Sequence, residues 1–160
     1  MRKYWNILKK YKVSLLISPI FVLISVIAET TQPLLMADIV DNGVMTRDLS
    51  VVSRVGLYMI LVSIVGLIAS MANVYVSSRT SIGFGTDLRT DLFKKIQELS
   101  FSDIDRFNSA SLITRLTNDI SRIQQIVLMS LRMFLRSPLM LVMALFYVLR
   151  INAELAWVLI

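Results

Sequence analysis

Long charge-free apolar runs alternate along this chain with mixed stretches in which apolar residues recur at helical spacing. Residues 13–28 carry no charge. A bilayer core of about 30 Å needs roughly 20 helical residues, so a span that starts here continues past Glu29 to about residue 37. Residues 55–78 form a second run, with no charge anywhere between Val55 and Ser78. A third apolar stretch covers residues 137–150 and opens on Pro138, which membrane helices tolerate. These runs predict three membrane helices, at 13–37, 55–78 and 137–150. Residues 151–160 read as a turn and the opening of a fourth apolar segment, so the chain looks cut short.

The intervening stretches differ in kind. Residues 38–54 are a polar connection, with Asp38, Asp41 and Asp48 against Arg47 and Arg54. Residues 79–136 hold nine Lys or Arg and six Asp or Glu among apolar residues. Leu88, Leu92, Ile96 and Leu99 share one stripe, and Leu112, Leu116, Ile120, Ile123 and Val127 share another, which predicts two amphipathic helices outside the membrane. Between them, Ser102 with Asp105 resembles a capping box for a very short helix. Asn108 or Ser109 can then cap the returning helix. The prediction is a helical hairpin at 79–136, tipped by a short helix near 102–110, with arms reaching roughly 35–40 Å at 1.5 Å per residue. Asp91 with Lys95, Arg115 with Asp119, and Asp119 with Arg122 are spaced to support solvated helices.

Composition agrees with a membrane protein: 56% of residues are hydrophobic and the mean hydropathy is +0.69, against roughly 45–50% apolar in soluble domains. Lys and Arg number five in the head at 1–12, two in the first connection, nine in the hairpin and one beyond it. By the positive-inside rule the head and the hairpin face the cytoplasm and residues 38–54 face out. The net charge of +6 is thus explained by topology, and no nucleic-acid partner is expected. A basic head before an apolar run also suits a cleaved leader, but a leader is followed by a soluble chain and here more spans follow.

The chain has no Cys and no His, which excludes disulfides, Cys/His zinc sites and Ser-His-Asp catalysis. Gly83-Phe84-Gly85 lacks the third glycine and the preceding strand of a dinucleotide loop, and no Gly precedes Lys-Ser or Lys-Thr. The two glycines suit close helix packing instead. Asp103 and Asp105 read as charges at a helix start rather than as an acid/base pair. No catalytic residue, metal site or cofactor is expected within these residues. Glu29, Gln32 and Asn73 are polar groups in apolar spans, where a lone charge costs about 2.5–3.5 kcal/mol on insertion scales. They either line a transport path or make interhelical hydrogen bonds. Arg132 and Arg136 are expected to snorkel to headgroups of the surrounding lipid.

The motifs Gln32-Pro33-Leu34-Leu35, Asp38-Ile39-Val40-Asp41-Asn42-Gly43, the run from Gly83 to Leu99 (Gly-Phe-Gly-Thr-Asp-Leu-Arg-Thr-Asp-Leu-Phe-Lys-Lys-Ile-Gln-Glu-Leu), Phe107-Asn108-Ser109-Ala110-Ser111-Leu112-Ile113-Thr114-Arg115-Leu116-Thr117-Asn118-Asp119 and Arg136-Ser137-Pro138 resemble the transmembrane domain of type I ABC exporters of the multidrug kind. The resemblance is to the first part of one half of a bacterial heterodimeric member and covers nearly the whole chain. Many members have Gly and then an acidic or amide residue where Ala110 and Ser111 stand here. The resemblance implies a coupling helix at Ser102, Asp103, Ile104, Asp105, Arg106, Phe107, Asn108 and Ser109, resting on a nucleotide-binding domain that is absent from this stretch. Ile104 and Phe107 would be its apolar anchors. It further implies a substrate pathway past Glu29, Gln32 and Asn73, outer-gate positions at Asp38 and Asp41, ATP and Mg in the full-length protein, a second transporter half as partner, and residence in the cell inner membrane.

The expected fold class is therefore all-α, with polytopic transmembrane helices and a long cytoplasmic helical hairpin. The expected function is part of an ATP-driven exporter of small amphipathic molecules, with no enzymatic activity of this stretch by itself. A non-enzymatic membrane scaffold or assembly subunit is the competing class. An ion channel is disfavoured, because no span carries the regular polar series that lines a pore.

Overall fold

The computed structural model describes residues 10–99 and 109–151, and these are helical almost throughout. Helix α1 spans Lys12–Asp38 and runs on into a π-helical segment, Ile39–Val44. Helix α2 spans Leu49–Gln97. Helices α3 (Ser109–Thr114), α4 (Ile120–Met129) and α5 (Arg136–Ile151) follow, with π-helical segments Arg115–Asp119 and Ser130–Phe134 between them. Three stretches are long and apolar enough to cross a membrane: Lys12–Val44, Leu49–Gln97 and Ser111–Leu149. The fold is all-α and polytopic.

The chain divides into two compact units, Met1–Ser18 with Tyr75–Arg132, and Pro19–Val74 with Met133–Ile160. In the second unit α1 and α2 run antiparallel and touch through small residues. A Cβ added at Gly66 would lie 2.8 Å from the Ala28 Cβ, and one at Gly43 would lie 2.6 Å from a Val52 methyl. Apolar helices in lipid gain little from hiding from one another, so association depends on such close backbone approach. The buried face of α1 here is Val22, Ser25, Val26 and Ala28, while Leu23, Ile27 and Met36 point outward. Hydroxyls return their bonds to their own helix, as Thr30 does to the Val26 carbonyl at 2.7 Å and Ser63 to the Met59 carbonyl at 2.8 Å.

The first unit carries a conventional core. Phe84, Leu88 and Ile120 are buried together, with Tyr11, Leu92 and Val127 packed against them. Leu88, Leu92, Ile96 and Leu99 lie on one buried or half-buried face of α2 and the residues after it, as their spacing predicts. The second stripe departs from its spacing at Ile123, which is 41% exposed. The π-helical segment Arg115–Asp119 carries a wider turn than an α-helix, so Gln124, Val127 and Leu131 face inward beyond it and Ile123 does not.

The polar connection expected over residues 38–54 is mostly helical. Asp38 and Asn42 are four apart, and the Asn42 amide donates to the Asp38 carboxylate at 2.7 Å, which carries the helix through residues that read as breakers. Only Met45 to Asp48 form the turn, where Arg47 takes a φ of 58°. Asp48 then opens α2 by accepting the Ser50 amide at 2.9 Å and the Ser50 hydroxyl at 2.7 Å. These bonds hold its carboxyl below the usual carboxylate range. Of the expected tip near 102–110, residues 102–108 lie outside the described residues, as does the fourth segment from 152 onward.

Gly66 and Gly56 make a matched test of close approach, since a Cβ at Gly56 would meet nothing within 4 Å. Gly66→Ala is expected to destabilise the intact protein by about 1–3 kcal/mol through overpacking. Gly56→Ala should leave it unchanged or stabilise it by up to about 1 kcal/mol through helix propensity. Thermal unfolding of both variants in the same detergent measures the difference.

Candidate functional site

Glu29 and Gln32, polar residues of the first apolar span, find partners on neighbouring helices. In the second unit an Arg136 guanidinium nitrogen donates to both Glu29 carboxylate oxygens, at 2.6 and 2.8 Å. This joins α1 to α5 across 107 positions of sequence. The expectation that Arg136 snorkels to headgroups is corrected by this bond: a carboxylate within reach is a better partner than a distant interface, because an unpaired charge in a span is costly. Both side chains stay about 40% exposed. One turn along α1, the Gln32 amide donates to the Met59 carbonyl at 3.2 Å and the Ser63 hydroxyl at 2.8 Å. Asn73 is buried on α2. Since it lies ten residues beyond Ser63 on that helix, about 15 Å along the axis, the three pathway candidates form no single cluster. Glu29 and Gln32 share one helix face, and Asn73 stands apart.

The outer-gate candidates also separate. Asp38 is half-buried and holds Asn42, while Asp41 is exposed within the π-helical segment. Of the coupling-helix candidates, Ser102, Asp103, Ile104, Asp105, Arg106, Phe107 and Asn108 lie outside the described residues, and Ser109 opens α3. Among the described residues no group of three or more acidic residues is arranged to hold a metal ion.

In the first unit several polar contacts tie helices together. Arg132 donates to the hydroxyls of Ser77 at 3.0 Å and Ser78 at 2.7 Å, where headgroup snorkelling was expected. Ser18, fully buried, donates to the Leu131 carbonyl at 3.3 Å. Ser81 donates to the Gln124 carbonyl at 2.6 Å, and Arg89 to the Ser121 hydroxyl at 3.0 Å. The two glycines serve close packing. A Cβ at Gly83 would meet the Tyr11 hydroxyl at 2.6 Å, and one at Gly85 would meet the Gln124 side chain at 2.6 Å.

Sequence reasoning missed a latch at the chain's start. Lys10 donates to Asp87 at 2.9 Å and the Tyr11 hydroxyl donates to the same carboxylate at 2.9 Å, fixing the entry to α1 against α2. The Lys10 bond, aided by the Tyr11 hydroxyl, holds the Asp87 carboxyl below the usual carboxylate range. Asp87 in turn raises the Lys10 ammonium above the usual lysine range. Burial, and then the bond to Asp87, push the Tyr11 phenol up. Further along α2, Lys95 pairs with Glu98 at 2.7 Å rather than with Asp91; both members are exposed, and the pair adds little.

Residues 15–160 match the family model described as the ABC transporter transmembrane region. An ABC transporter ATP-binding protein of Bacillus subtilis, YfiB, is 38% identical over 160 residues, all of this chain and 28% of that protein. An ABC transporter ATP-binding protein of Mycobacterium tuberculosis is 34% identical over 138 residues, 86% of this chain and 24% of its own. A Rickettsia felis protein with an export ATP-binding/permease name is 28% identical over 139 residues, 84% of this chain and 23% of its own. The chain belongs to the ABC transporter family, as part of its transmembrane region. It spans about a quarter of the length of the curated relatives it matches.

The latch has a definite pH window. Because the folded-state pKa of Asp87 is depressed, its stabilisation is present above the unfolded carboxylate range and lost as pH falls through the folded value. The raised Lys10 gives stabilisation that is present below the usual lysine range and lost as pH rises through its folded value. Hydrogen exchange over residues 10–18 should therefore be faster in Asp87→Asn than in the parent protein near neutral pH. The difference should shrink as pH falls below the carboxylate range. A difference that stays constant across that fall would show that packing of Tyr11, not charge, makes the latch.

Proposed function

We propose that this chain supplies part of the transmembrane domain of an ATP-driven exporter of small amphipathic molecules, and that it transmits the motion of a nucleotide-binding domain to the membrane. The observation that carries the reading is the length of α2. Its 49 residues extend about 70 Å at 1.5 Å per residue, more than twice the roughly 30 Å of a bilayer core. A helix that long, without an internal break, carries a rigid-body displacement from water to lipid where a flexible loop would dissipate it. The returning stretch Ser111–Leu149 is also longer than a span requires.

In this reading the segment 102–109 is the coupling helix, resting on the nucleotide-binding domain, and ATP hydrolysis with Mg belongs to that domain rather than to these residues. A second transporter half completes the pathway, as a heterodimer, and the assembly lies in the cell inner membrane with the N-terminus in the cytoplasm. Glu29, Gln32 and Asn73 contribute to the pathway, and Asp38 and Asp41 lie near the outer gate. The ABC transporter and ATP-binding/permease names of the relatives support this reading.

In the intact transporter, Arg106→Ala combined with Phe107→Ala is expected to lower transport about tenfold while leaving basal ATPase in place, the loss that accompanies removal of an interface anchor worth about 1.4 kcal/mol or more. Unchanged transport and substrate-stimulated ATPase would reject the coupling role and favour a scaffold. Orientation is tested by thiol labelling, since the chain has no Cys. An Asp105→Cys variant should react only from the cytoplasmic side, and labelling from outside would overturn the topology.

A further inference from the structure

Glu29 and Arg136 form an ion pair between α1 and α5, within two of the stretches long and apolar enough to cross a membrane. One guanidinium nitrogen bonds both carboxylate oxygens, so each charge has its counter-charge already, and each side chain remains about 40% exposed. Gln32, on the same face of α1 as Glu29, and its partner Ser63 on α2 continue the polar strip. Exposed methionines flank it, Met36 one turn beyond Gln32 on α1 and Met140 one turn beyond Arg136 on α5. Methionine side chains adapt to apolar tails of varied shape.

A monovalent cation that paired with Glu29 would strand Arg136, and a monovalent anion that paired with Arg136 would strand Glu29. Breaking a pair so as to leave one charge alone in a low-dielectric setting is unfavourable. An uncharged head leaves the pair intact, and a zwitterionic head replaces both bonds at once. We propose that Glu29 and Arg136 together read the charge of the transported molecule and admit net-neutral amphiphiles, uncharged or zwitterionic, in preference to singly charged ones. This rests on the pathway reading above and narrows its substrate class. It also assigns Arg136 a specificity role.

The test uses four dansyl amphiphiles with one common tail and a hydroxyl, sulfobetaine, quaternary ammonium or sulfonate head. Binding to the intact transporter in nanodiscs is read by fluorescence, and vectorial uptake is read in proteoliposomes. The parent protein should bind the hydroxyl and sulfobetaine probes about tenfold more tightly than the two charged ones, a moderate preference because the pair is partly exposed. Arg136→Gln should tighten the ammonium probe selectively, and Glu29→Gln the sulfonate probe. The double variant should lose the discrimination. Losses that are equal for all four heads would overturn the proposal and leave the pair a structural tie, as would parent protein that binds neither net-neutral probe. Sign-dependent binding without vectorial uptake would sink the exporter reading alone, whereas uptake that ignores head charge would sink this inference alone.

Discussion

In water, helices associate because their apolar faces escape the solvent, but lipid tails are as apolar as leucine and give no such push. What fixes register in a membrane helix pair is then the distance at which two backbones can meet and the few polar bonds that form once they do. The Gly66 to Ala28 contact supplies the approach. One turn and more along the same pair of helices, Gln32 reaches the Met59 carbonyl and the Ser63 hydroxyl. The order matters physically: the amide bond is short-ranged and requires the close approach, whereas the close approach does not require the amide. The small residue sets the geometry, and the polar residue makes it specific.

The first unit is packed differently. There the helices carry a true core of Phe84, Leu88 and Ile120, flanked by Tyr11, Leu92 and Val127. The hydrophobic effect can act on such a cluster where water is present. Polar bonds still matter, but they sit around the core rather than in place of it: Lys10 and Tyr11 on Asp87, Arg89 on Ser121, Ser81 on the Gln124 carbonyl. The same α2 helix therefore changes its buried residues along its length. Gly66, Ala69, Asn73 and Ser77 are small or polar, and Phe84 and Leu88 are large and apolar.

That change was legible in the sequence as a charge-free run followed by a stripe of leucines, because both are local patterns of spacing. The family was legible too, through motifs dispersed from Gln32 to Pro138. The partner of Arg136 was not. Its carboxylate lies 107 positions away, and no local spacing connects α1 with α5. The helical state of Asp38 to Val44 was hidden for a related reason. Asp, Asn and Gly weigh against a helix one by one, but an Asp38–Asn42 bond across one turn satisfies the polar groups that would otherwise break it. Ile123 shows the third kind of failure. A stripe counted at 3.6 residues per turn slips when a π-helical segment intervenes, and Gln124 faces inward where the spacing puts Ile123 on the stripe.

Arg132 lies in the π-helical segment Ser130–Phe134 and Arg136 opens α5. Arg132 and Arg136 are four apart, a spacing that in an uninterrupted α-helix places both on one face, where two like charges repel. Arg132 goes to the hydroxyls of Ser77 and Ser78, and Arg136 goes to the carboxylate of Glu29. The two cations thereby meet different partners: the hydroxyls of Ser77 and Ser78 for Arg132, and the Glu29 carboxylate for Arg136. An ion that bonded Glu29 or Arg136 would have to displace the other member of that pair.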